Sequence, residues 1–83
     1  MSKLPAVRAR DAARVAQSLG FVLDRQRGSH AVYYRSLDRK RVVIPMHPGK
    51  DLKPGTLRGI ITDMGLTPED FIALVVNRLT PAR

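Results

Sequence analysis

The chain contains no cysteine, only seven acidic residues against fifteen lysines and arginines, and no apolar run longer than the stretch from Phe71 to Val76. Without cysteine there is no disulfide framework and no thiolate metal site, so packing and hydrogen bonding must hold the fold. A reducing, cytoplasmic setting is compatible with that. The apolar run is far too short to span a membrane, and the opening Met1-Ser2-Lys3-Leu4-Pro5 lacks the apolar stretch of a signal peptide. The expectation is a soluble, unexported protein with no membrane partner. At 83 residues the chain is short for two cores, so one domain over 1–83 is expected, with little room to enclose a large cofactor. With 43% hydrophobic and 27% charged residues it is too apolar to be disordered, and it should fold.

What the chain has in excess is positive charge. The formal net charge is +8 and the isoelectric point is about 11.2. Such a field attracts polyanions, and neutralising phosphates releases counterions and raises affinity without any reading of base sequence. Nucleic acid is the commonest polyanion in a cytoplasm. An acidic protein partner or an anionic membrane surface would satisfy the same field, and the plain alternative is a basic surface that only faces water.

Hydrophobic periodicity divides the chain into six elements. Ala12, Val15, Ala16 and Leu19 fall at i, i+3, i+4 and i+7 and predict a helix over about residues 8–19, closed by Gly20. Strands are expected at about 21–26, 30–36 and 41–45, with Gly28-Ser29 and Leu37 to Lys40 as the breaks between them and Pro45 ending the last. Leu57, Ile60, Ile61 and Met64 repeat the helical stripe over about 54–64, closed by Gly65. Thr67, Pro68 and Asp70 then read as cap, first position and third position of a last helix over about 68–79, with Leu66 and Phe71 as its hydrophobic staple. Thr80-Pro81 should end it, leaving Ala82 and Arg83 as a frayed tail. Three consecutive strands with short links favour an antiparallel meander covered by helices, an α+β sandwich of two layers.

The groups able to move a proton near neutrality are His30 and His47. If Asp38 and Arg39 are the two central residues of the second hairpin, paired positions bring His30 opposite His47. A slip would undo that. Two imidazoles close to Arg25, Arg27, Lys50, Lys53 and Arg58 are the parts needed to cleave RNA without a metal: a neutral imidazole takes the proton of a ribose 2′-hydroxyl, and a cation or the second imidazole stabilises the charge on the phosphorane oxygens or protonates the leaving oxygen. Against this, a histidine at a strand edge is more often solvated or structurally hydrogen-bonded. Two histidines with no thiolate or carboxylate at ligand spacing make a poor metal site, and no cofactor is expected. Tyr33 and Tyr34 must point to opposite faces of their strand, one into the core and one outward, where it would either stack on a base or simply favour β-structure.

Four spaced motifs give the chain a resemblance. Leu19-Gly20-Phe21 after the first helix, Gly28-Ser29-His30 opening the second strand, Pro45-Met46-His47 closing the third, and Leu52, Gly55, Thr56, Leu57, Arg58 and Ile60 entering the next helix are similar to the pattern of the HicA family of toxin ribonucleases. The resemblance implies a fold like the double-stranded-RNA-binding domain and a metal-independent endoribonuclease acting on mRNA. It implies His30 as catalytic residue, with Ser29 beside it, and a HicB-type antitoxin as the inhibiting partner. His47 matches a motif position, but its part in catalysis rests on the register argument alone. The added helix at 68–79 is best explained as core completion. A non-catalytic basic RNA-binding module is the rival reading. A DNA-binding helix-turn-helix formed by the last two helices ranks lower, because Glu69 and Asp70 at the start of its recognition helix would meet phosphates with like charge.

Overall fold

The computed structural model describes residues 4–79. They form α1 (Ala9–Ser18), β1 (Val22–Arg27), β2 (His30–Arg35), β3 (Lys40–Pro45), α2 (Pro54–Met64) and α3 (Pro68–Leu79), the α+β order that the periodicity indicates. The expected stop at Thr80-Pro81 and the tail Ala82-Arg83 lie outside the described residues. No described helix is long and apolar enough to cross a membrane.

Both internal helix ends are set by backbone chemistry. After α1 the Phe21 N–H donates to the Ala16 carbonyl and the Gly20 N–H to that of Gln17, at 3.0 and 3.1 Å. After α2 the Leu66 N–H donates to Ile61 and the Gly65 N–H to Thr62, at 3.1 and 2.9 Å. This paired closure requires a residue at positive φ, and Gly20 and Gly65 adopt +92° and +81° there. The start of α3 is capped as its sequence predicts, the Asp70 N–H donating to the Thr67 hydroxyl at 3.1 Å. At the start of α1 the Arg8 N–H donates to the Asp11 carboxylate at 3.3 Å.

The sheet is an antiparallel meander in the order β1-β2-β3. Its inner face carries Ala31, Tyr33, Val42 and Ile44, all buried in one cluster with Val15, Leu57, Ile61, Met64 and Phe71. α2 lies on β3, and α1 contacts both β3 and α3. Phe71 and Val75 are buried, so α3 completes the core as expected of it. β1 lies at one edge with all six residues exposed.

The second hairpin corrects one expectation. Its turn has four residues, 36–39, not two, and the last ladder pair is Arg35 with Lys40, so His30 pairs with Pro45 and not with His47. The cause is Arg35. Its guanidinium holds both Asp38 carboxylate oxygens, at 3.0 and 2.7 Å, and also donates to the Leu19 carbonyl at 2.8 Å. It stacks over the Phe21 ring at 4.4 Å as well. One side chain thus ties the turn after α1 to the turn between β2 and β3. The hydrogen bond from Arg35, helped by its charge, holds the Asp38 carboxyl below its ordinary range. Arg39, at φ +58°, accommodates the tighter winding of this longer turn.

Candidate active site on the helix-free sheet face

Register decides which side chains share the face that no helix covers. In β2 the alternation that buries Ala31 and Tyr33 turns His30, Val32 and Tyr34 the other way. Cross-strand partners lie on the same face. Those partners are Arg27 for His30, Arg25 for Val32 and Val22 for Tyr34 on one side, and Pro45, Val43 and Arg41 on the other. A bulge between Leu23 and Arg25 makes the β1 assignment possible: Asp24 is left unpaired, and the residues after it change face relative to Leu23. Arg25 and Arg27 therefore join His30 on one surface. No carboxylate occupies a paired position of this face.

His30 is exposed, immediately after the two-residue Gly28-Ser29 turn. The Ser29 carbonyl accepts the Met46 N–H, which fastens this end of the first hairpin to the segment leaving β3. The basic loop 46–53 consequently departs from the imidazole's end of the sheet. The loop is held at its far end by the Leu52 N–H, which donates to the Val7 carbonyl at 2.7 Å, and by the bridge between Arg8 and Asp51.

Between the loop and α2 lies a groove of about 400 Å³, bordered by Pro45, His47, Lys50, Lys53 and Thr56 among others. Pro45 is the strand partner of His30, so the groove reaches the residue paired with it. Lys53 is the N-cap of α2 and makes no side-chain capping bond. A cation there opposes the positive end of the helix dipole, while the first-turn N–H groups have no intrahelical partner. Together they suit a bound anion such as a phosphate. On its other side His47 borders a smaller hollow shared with Arg8 and Arg10.

Of the residues singled out in the sequence, Arg25, Arg27, Ser29 and His30 come together at one end of the open face, and His47, Lys50 and Lys53 line the adjoining groove. Arg58 does not join them. It borders a neighbouring groove with Leu4, Pro5 and Leu57, which meets the first at Asp51 and Leu52. Sequence reasoning missed Thr56, although it stands inside a motif already noticed, and Arg41, whose guanidinium lies 5.2 Å from the centre of the Tyr34 ring. Arg41 was hidden by the hairpin register: a two-residue turn would have set it against Ser36. Among the described residues no three His, Asp or Glu side chains are grouped as a metal site would require.

No individual curated protein matches the sequence at a significant level. The family model described as HicA toxin of bacterial toxin-antitoxin matches residues 9–66, more than half of the chain, from the first residue of α1 to just past α2.

Proposed function

The chain belongs to the HicA toxin family of bacterial toxin-antitoxin systems, and from that premise we propose that it is a metal-independent endoribonuclease that cleaves mRNA in the cytoplasm and is held inactive by a HicB-type antitoxin. The observation that carries this reading is His30: a solvent-exposed imidazole with Arg27 directly across the strand pair and Arg25 one pair further along the same face. The neutral ring accepts the proton of a ribose 2′-hydroxyl, and the freed oxygen attacks the adjacent phosphorus. The bond to the 5′-oxygen breaks, leaving a 2′,3′-cyclic phosphate and a 5′-hydroxyl. On this open face the departing oxygen takes its proton from water. The guanidinium groups of Arg25 and Arg27 stabilise the charge that gathers on the phosphoryl oxygens in between.

His47 has a different part in this scheme. Since Pro45, and not His47, lies opposite His30, its imidazole forms a wall of the groove in which Lys50 and Lys53 hold the continuing RNA backbone. The basic groups of the face and groove, Arg25, Arg27, Lys50 and Lys53, with Asp51 the one acidic residue bordering the groove, suit an acidic patch on the antitoxin. Covering the face would then exclude RNA by direct competition.

The test is cleavage of an mRNA fragment in EDTA by the purified chain, with the product ends identified. The proposal expects full activity in EDTA and 2′,3′-cyclic phosphate termini. Saturable binding of RNA that stays intact would favour the rival, a non-catalytic RNA-binding module.

A further inference from the structure

We infer that Tyr34, flanked by Arg41, is a stacking platform for an unpaired base of the RNA, which makes single-stranded RNA the substrate class of this face. The inference rests on the ribonuclease reading of His30. Three observations carry it. Tyr33 is buried while Tyr34 is partly exposed on the imidazole's face, where no helix covers it. The strand partners of Tyr34 are Arg41, whose guanidinium sits over its ring at 5.2 Å, and Val22, which is 63% exposed. Val43, a diagonal neighbour, is also exposed. A tyrosine ring bordered by exposed aliphatic side chains, with the exposed Arg41 guanidinium over it, offers a base a stacking surface made of ring and guanidinium plane, which is what sequence-tolerant stacking requires.

Tyr34 lies four residue steps from His30 along β2, about 13 Å. The His30 end carries Arg27, with Arg25 in the middle row opposite Val32, and suits a phosphate and a 2′-hydroxyl. The Tyr34 end carries the apolar groups and suits a base close to the cut but not at it. In a duplex the base faces are already stacked on one another and unavailable to a protein ring, so only a strand with splayed bases can occupy both ends at once.

The probe is a short RNA carrying 2-aminopurine, used single-stranded and annealed to its complement, with the full chain bearing His30→Ala so that nothing is cut. Tyr34→Leu should weaken single-strand binding roughly ten-fold or more, and by the same factor at low and high salt, whereas the conservative Tyr34→Phe should keep the affinity of its parent. Binding should quench 2-aminopurine fluorescence in the parent and in Tyr34→Phe but not in Tyr34→Leu. Equal affinities of the leucine and phenylalanine variants, or a preference of the parent for the duplex, would overturn the platform. Should Tyr34→Leu fail to fold, the parent alone still decides. The chain has no tryptophan and Tyr33 is buried, so the absence of tyrosine-emission quenching by bound single-stranded RNA would equally overturn it. The two readings fail separately: a wild-type chain that binds but never cuts sinks the ribonuclease, while one that cuts with no dependence on Tyr34 sinks only the platform.

Discussion

Replacing His30 by alanine or glutamine tests the chemistry with least disturbance to the fold. The side chain is exposed and at the first position of β2, and the ladder there is made by backbone groups. Surface substitutions of this kind change stability by about 0.5 kcal/mol or less. Loss of a positioned general base, by contrast, lowers rate by about 10² to 10⁴, which corresponds to about 3 to 5 kcal/mol on the barrier. The two effects differ several-fold in energy, so they separate in one experiment. Single-turnover cleavage of end-labelled RNA in EDTA should fall by that factor, with melting temperature and RNA affinity nearly unchanged. Because the imidazole acts on the proton in flight, the loss belongs in kcat and not in KM. The reasoning is refuted if either variant retains more than a tenth of wild-type turnover, or if its lost activity follows lost affinity or lost folding.

Other substitutions probe the groove, the turn and the core. Lys50→Ala with Lys53→Ala should weaken RNA binding and reduce the magnitude of the salt slope by about 1.4, since each contact to a single strand contributes about 0.7; titrations at several salt concentrations read this directly, and an unchanged slope would move the phosphate site elsewhere. His47→Ala should raise KM and spare kcat, and a kcat loss as large as that of His30→Ala would return it to the chemistry. Asp38 is held below the usual carboxylate range by its hydrogen bond from Arg35, so its contribution is fully present above the unfolded-state value and disappears as pH falls through the lower folded value. Thermal melts from neutral into acid pH should therefore show wild type more stable than Asp38→Asn at neutrality, with the gap closing on acidification. Phe71→Ala should cost about 3 to 5 kcal/mol, because the ring is wholly buried; a denaturant midpoint that does not move would mean that α3 is not part of the cooperative core.

Much of this architecture was legible in local patterns. The stripes ending at Leu19 and Met64, followed at once by glycine, mark helices whose termination needs a positive φ, and the cap at Thr67 is written in consecutive residues. Tyr33 and Tyr34 divide between the two faces as alternation demands. These features depend on neighbours a few residues apart, so a linear reading finds them. The pairing of His30 with His47 failed for a different reason. It assumed a turn of two residues, whereas Arg35 reaches across the turn to Asp38 and back to the Leu19 carbonyl, a contact spanning sixteen positions.

Residue order alone, through period and punctuation, was enough to set the elements and their succession, and to put a histidine at the head of the second strand; that it faces outward is decided by the packed sheet. Long-range contact was needed to choose its company. The bulge at Asp24 brings Arg25 and Arg27 to the imidazole's face, the four-residue turn gives it Pro45 and sets Arg41 beside Tyr34, and the path of the chain sends Arg58 to another groove. Elements arise from energies that act within a turn or two of chain. A site is an agreement among strand registers, and one register is free to slip until a distant side chain pins it.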